Sequence, residues 1–185
     1  MNKALIIIDA QEDFTRGALR NEEAIKALDK INRLVKYARA NNFEHIVYTA
    51  DTHTDDYLNT QEGKKLPVRH CIRGTDGWRL CPEVLRDAKN NVLIYKPSFG
   101  YTNWDMLPLE HLDEIVMCGF CTDICVMANF QLIKAEYPEV PITIIKDACA
   151  GVTPELHEAA LKVMKSCQAD ILSLCDYMKE AINEQ

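Results

Sequence analysis

Ala4-Leu5-Ile6-Ile7-Ile8-Asp9 opens the chain with an unbroken apolar run that stops on a carboxylate. A run without polar alternation suits a strand covered on both faces, as in a parallel sheet. Working outward, similar short runs return at residues 46–48, 92–95, 115–118 and 142–145, and a sixth strand is expected at 171–174. Between them the periodicity changes. Ala24, Leu28, Ile31, Val35 and Ala38 keep the three-to-four spacing of a helix. A second helix is expected over about 123–136, stopped near Pro138, and a third opens near Pro154, a residue that suits the first helical turn. A short helix closes the chain. Strands alternating with helices at this spacing predict right-handed βαβ units and an α/β fold. Its architecture is three-layered, α/β/α, with a six-stranded parallel sheet, doubly wound and Rossmann-like.

The 185 residues suffice for one domain with a real core, and with no repeat, low-complexity tract or linker, 1–185 reads as a single unit. The 21 basic residues against 28 acidic ones give a net charge of −7. That balance argues against a nucleic-acid backbone or an anionic membrane as partner, since both want a basic face. The first apolar run is too short for a signal segment or a membrane span, so the expected compartment is the cytoplasm. Most of the eight cysteines are then reduced, small buried hydrophobes.

Doubly wound sheets place ligands at the carboxyl ends of their strands. Those ends carry Asp9, then Asp51-Thr52-His53, then Lys96, then Gly119-Phe120-Cys121-Thr122-Asp123-Ile124-Cys125-Val126. Cys125 is the sharpest candidate. If Thr122 or Asp123 caps the following helix, Cys125 lies in a first turn whose free N–H groups and dipole favour a thiolate. An ammonium at Lys96 pushes the same way, a carboxylate at Asp9 can receive the proton, and backbone N–H groups can hold an oxyanion. Singly, each has an ordinary role: a core cysteine, a loop-capping aspartate or receiver-type acceptor, a solvated lysine. Cys118, Cys121 and Cys125 lack the spacing of a metal ribbon. Strand three need not neighbour strand one, in which case the loop has to bring Lys96 back. The polar segment 51–75 is too long for a mere connection. Its Asp51, His53, Glu62 and His70 suit a divalent ion, zinc first, with iron or manganese as alternatives, or else are hydrogen-bonding loop residues. His45, His111 and His157 receive no role.

These residues together resemble the isochorismatase-like superfamily of cysteine hydrolases, over nearly the whole chain, with Thr122-Asp123-Ile124-Cys125-Val126 the most specific segment. The resemblance implies Asp9 as general base and then acid, Lys96 as holder of the charged pair, and Cys125 as nucleophile. It also implies a cis peptide at Phe120–Cys121 and an oxyanion hole from the N–H groups of Cys121 and Cys125. Asp51, His53, Glu62 and His70 match the metal pattern of nicotinamidases, in which the ion anchors a pyridine nitrogen. Phe14 fits the aromatic packed against the ring. Where a second aromatic is expected before the last histidine, this chain has Leu66-Pro67-Val68-Arg69, so Leu66, Phe99, Tyr101 or Trp104 is left to complete the wall. The implied activity is amide hydrolysis through a thioester, with nicotinamide as the first substrate. Another small amide, ureide or N-carbamoyl compound is the alternative, and a metal-binding or thiol-sensing domain without turnover is the other. The implied partners are a small-molecule amide and further copies of the chain, as dimers or tetramers.

Overall fold

In the computed structural model, which describes residues 1–85 and 91–183, six strands form one sheet in the order β3-β2-β1-β4-β5-β6. They are β1 (Lys3–Ile8), β2 (His45–Asp51), β3 (Asn91–Lys96), β4 (Glu114–Phe120), β5 (Ile142–Ala150) and β6 (Ala169–Leu172). Every neighbouring pair is parallel. Ala4, Leu5, Ile6, Ile7 and Ile8 are wholly buried, as the uninterrupted run requires. Each large side chain among them contributes about 1.5–3 kcal/mol by leaving water. The chain winds outward in both directions from β1 and β4, so the switch point lies between those two strands.

The longest helix, α2 (Glu22–Ala40), follows a short turn, α1 (Glu12–Thr15). Asn21 caps α2 by accepting from the N–H groups of Glu23 and Ala24. The buried face of α2 is Ala24, Ala27, Leu28, Ile31, Leu34, Val35 and Ala38, and it packs on β1, β4 and β5. α4 (Met127–Glu136) and α5 (Pro154–Ser166) pack together, and α6 (Leu174–Asn183) returns to β5 beside α2, where Tyr37 meets Tyr177 edge-on. Gly119 has a φ of +123°, and a Cβ there would stand 2.0 Å from the Ile8 carbonyl oxygen. Only glycine allows β4 to run against β1 at this point.

Three local expectations need correcting. The sixth strand ends at Leu172, not 174, because Ser173 turns the chain and its hydroxyl caps α6 at the Asp176 N–H. The helix expected over 123–136 begins instead as a turn of π-helix, Thr122–Val126, and becomes α-helical at Met127. The segment 51–75 is not structureless: it holds a 3₁₀ turn at Tyr57–Asn59 and a short helix, α3 (Gln61–Lys65), capped by the Thr60 hydroxyl. Among the described residues no helix is long and apolar enough to cross a membrane.

Candidate active site

Asp9 follows β1 directly, in a left-handed conformation (φ +48°) that turns its carboxylate into the sheet edge. Thr49 of β2 donates its hydroxyl to Asp9 Oδ1 at 2.6 Å. Lys96 Nζ lies 2.6 Å from Asp9 Oδ2, 3.5 Å from Asp51 Oδ1 and 3.5 Å from Cys125 Sγ. Both Asp9 and Lys96 are wholly buried. β3 is indeed separated from β1 by β2, but no loop brings Lys96 back. It is the last residue of β3, in register with Asp51, and its own long side chain crosses beneath β2 to Asp9.

Cys125 sits in the π turn, whose widened repeat shows as the Val126 N–H bonded to the Cys121 carbonyl at 3.0 Å. The expected caps are engaged elsewhere. Thr122 Oγ1 pairs with His157 Nδ1 at 2.8 Å, and Asp123 Oδ1 accepts from the Val152 N–H at 2.9 Å. α5 and the segment before it therefore clamp the nucleophile's turn. The electrostatics also differ from the expected thiolate. Burial, and then the Asp9 charge, push the Cys125 thiol well above its ordinary value, with Lys96 opposing. Burial likewise raises Asp9 against the pull of Lys96. Lys96 resists its own burial because Asp9, Cys125 and Asp51 hold the ammonium charged. Burial thus raises both the thiol and the carboxylate, and the Lys96 ammonium, within 3.5 Å of each, opposes it in both.

The second constellation lies on the other side of Asp51. His53 Nε2 is 2.9 Å from Asp51 Oδ2 and 3.6 Å from Glu62 Oε1, and His70 Nε2 is 3.6 Å from each of those oxygens. One ligand atom from each of the four residues lies within 4.8 Å of the others. Two features fit a divalent ion. His53 Nε2 is buried and, though 2.9 Å from Asp51 Oδ2, makes no well-formed hydrogen bond, a costly state unless a cation fills the centre. His70 Nδ1 lies 2.8 Å from the Val68 carbonyl, so the ring donates there and aims Nε2 inward. The donor set of two imidazoles and two carboxylates suits zinc, and also iron or manganese.

Cys125 of the first constellation and all four residues of the second face one cleft of about 1280 Å³, with Asp9 and Lys96 buried behind Cys125. Phe14, Leu66, Phe99, Cys121, Ile124 and Cys125 line it beside the four metal-type ligands. Tyr101 and Trp104 do not. The Tyr101 N–H is held by Asn129 Oδ1 at 2.9 Å, and its ring packs edge-on against Trp104, itself buried. The peptide between Phe120 and Cys121 is cis. Several residues that hold the site went unread in the sequence. Gln11 brackets Asp51, donating to its carbonyl and accepting from its N–H. Asn129 donates to the carbonyls of Cys125 and Phe99, joining the nucleophile to the cleft wall. Asp13 Oδ2 accepts from the Cys71 N–H at 2.6 Å and so holds the residue after His70, whose φ is +46°. Nothing in periodicity marks such residues. Only their coming one turn after a strand or nucleophile hints at them.

Comparison with known proteins places the chain in a family. The Isochorismatase domain family matches residues 3–176. Nicotinamidase of Escherichia coli is 26% identical over 208 aligned residues, covering 95% of this chain and 96% of that protein. The structure of nicotinamidase PncA from Bacillus subtilis superposes with a TM-score of 0.80 at 31% identity, over 94% of this chain and all of that one. Pyrazinamidase of Pyrococcus horikoshii, in complex with zinc, gives 0.80 at 26% identity, over 94% and 99%. From β1 to the start of α6, the chain belongs to the isochorismatase family of hydrolases and is similar to its nicotinamidases and pyrazinamidases.

Proposed function

We propose that the protein is a cysteine-dependent amidohydrolase that converts nicotinamide, or a closely similar ring carboxamide, to the acid and ammonia. The observation that carries this is the meeting of Asp9 and Lys96 with Cys125, where Cys125 lines a cleft together with four residues of metal-ligand type. Asp9 takes the proton from Cys125 Sγ as the sulfur attacks the carboxamide carbon. The electron pair of the carbonyl moves to oxygen, where the N–H groups of Cys121 and Cys125 receive it. Collapse breaks the carbon–nitrogen bond, and Asp9 returns its proton to the departing ammonia. A thioester remains on Cys125. Water adds to it with Asp9 again as base, and the thiol leaves with the proton restored. Lys96 stays charged throughout and keeps Asp9 ionised in a buried site.

Phe14, Leu66 and Phe99 supply apolar walls for the ring. Asp51, His53, Glu62 and His70 would hold a divalent ion, zinc first. Bound there, the ion supplies a Lewis-acid anchor for a ring nitrogen. An enzyme of this kind acts in the cytoplasm, and the sequence resemblance adds a homo-oligomer. The test is ammonia release from nicotinamide, with the Cys125→Ala variant beside it and with and without a chelator. Release that needs Cys125 and falls on chelation supports both halves of the proposal. Cys125-dependent release confined to N-carbamoyl or ureide compounds moves the substrate. No release from any amide, by protein whose Cys125 still alkylates, removes the activity.

A further inference from the structure

The stretch 97–102 has little of its own to hold it in shape. It is neither helix nor strand, and among the described residues no hydrogen bond between main-chain groups engages any part of it. Lys96 Nζ donates to the Ser98 carbonyl and Ser98 Oγ to the Gly100 carbonyl, each at 3.0 Å, but these bonds link the stretch only to β3 and to itself. Phe99 nonetheless forms part of the cleft wall from here. Its tie to the nucleophile is one side chain. Asn129, wholly buried in the first turn of α4, donates from Nδ2 to the Phe99 carbonyl at 3.0 Å and to the Cys125 carbonyl at 2.8 Å. Its Oδ1 accepts from the Tyr101 N–H at 2.9 Å and from Trp104 Nε1 at 3.3 Å. Carbonyls on one side and N–H donors on the other allow a single orientation of the amide, with every position filled.

A buried asparagine that only satisfied itself could draw partners from anywhere in the core. These four come from the nucleophile and from the wall that faces a bound ring. An apolar wall discriminates between substrates only where its own position is fixed. We infer that Asn129 is a positioning residue for substrate specificity: it holds Phe99 at a set distance from Cys125, and so decides how well an aromatic amide is seated. The inference rests on the amidohydrolase reading. Its two halves are separable by chemistry. A threonine hydroxyl on a helix bonds the carbonyl four residues back, so Asn129→Thr keeps the tie to Cys125 and gives up the ties to Phe99 and Tyr101. Lys96 keeps Asp9 at 2.6 Å whatever the stretch does, so the loss should fall on binding rather than on the chemical step.

The test is a double-mutant cycle on the whole, metal-loaded protein. Asn129→Thr and Phe99→Ala should each raise KM for nicotinamide about tenfold, with kcat changed less than about threefold. The double variant should show about the same tenfold rise and not a hundredfold one, because Asn129 acts through Phe99. Should Asn129→Thr fail to fold, Asn129→Ser carries the same hydroxyl and takes its place in the cycle. An unchanged KM overturns the inference, as does a fall in kcat alone, and a double variant in which the two effects multiply overturns the route through Phe99. Alkylation of Cys125, followed by mass spectrometry of its peptide, makes the same comparison without turnover. The rate with iodoacetanilide is divided by that with iodoacetamide, each relative to free cysteine. That ratio should fall about tenfold in either single variant and no further in the double. If the protein hydrolyses no amide, the function proposed above fails while this ratio still decides the role of Asn129. A ratio that Asn129→Thr leaves unmoved overturns it.

Discussion

Replacing Asp13 by alanine should destabilise the protein and, together with that, loosen the proposed metal site. Asp13 is 7% exposed and holds three separate loop segments. Its Oδ2 accepts from the Cys71 N–H at 2.6 Å, its Oδ1 from the Ala18 N–H at 2.9 Å, and its own N–H donates to the Gly77 carbonyl at 2.9 Å. The packing is close enough that a Cβ on Gly17 or Gly77 would stand 2.1 or 2.2 Å from Oδ1. Hydrogen bonds to a charged acceptor contribute about 1.5–3 kcal/mol each, and a buried donor left without a partner costs a similar amount. Relief from burying the carboxylate offsets part of this, leaving a loss of roughly 2–4 kcal/mol. In a chain of this length that corresponds to a fall in Tm of about 5–15 °C. Cys71 follows His70, so the freed segment should also weaken zinc binding by about 10–100-fold. Thermal unfolding followed by circular dichroism reads the first effect, and a competitive zinc titration against a chromophoric chelator reads the second. Asp13→Asn keeps one acceptor and should lie between. A Tm within about 2 °C of wild type for Asp13→Ala, with zinc affinity unchanged, would refute the idea that this carboxylate ties the loops to the site.

Lys96→Met removes the cation from between Asp9 and Asp51. It should lower kcat/KM for amide hydrolysis by about 10²–10⁴-fold, since Asp9 then takes up a proton and ceases to be a base; a loss under threefold would exclude Lys96 from the chemistry. His157→Leu leaves buried Thr122 without its 2.8 Å partner and should reduce kcat with little change in KM, by about tenfold, with partial recovery in His157→Gln. Unchanged kcat would show that the clamp on the nucleophile's turn does not matter. Gly119→Ala drives a Cβ into the Ile8 carbonyl at a left-handed position, and should cost about 3 kcal/mol or more, read as insoluble protein or a Tm lowered by several degrees. A normal melting curve would mean that β4 shifts off β1 without penalty.

Much of this was legible in the chain because burial on both faces writes itself as uninterrupted apolar runs. β1 and β4 were placed from such runs, and the acid, lysine and cysteine were found by looking where those runs stop. The sixth strand slipped by two residues because Asp170 interrupts the apolar run after Ala169, while Ser173, which follows its end, looks like any polar residue. The π turn was not legible: whether the Val126 N–H reaches back four residues or five is decided by packing of α5 against Thr122 and Asp123, not by composition. The path of Lys96 depends on strand order, which periodicity does not carry. Tyr101 was misplaced for a similar reason, since Asn129, 28 positions away, fixes its backbone. A buried polar residue is defined by partners distant in sequence, and a single sequence does not list them.

The assembly around Asp51 also has a consequence in electroneutrality. Asp9, Asp51 and Glu62 bring three carboxylates into one connected cluster, and Lys96 is the single fixed cation among them. With both imidazoles neutral, two negative charges remain unbalanced in surroundings that screen poorly. A dication restores neutrality where a monovalent ion or a water would not. An ion bound at the proposed site would then be selected by valence before geometry, and the strength of Asp9 as the proposed base would depend in part on whether that balance had been struck.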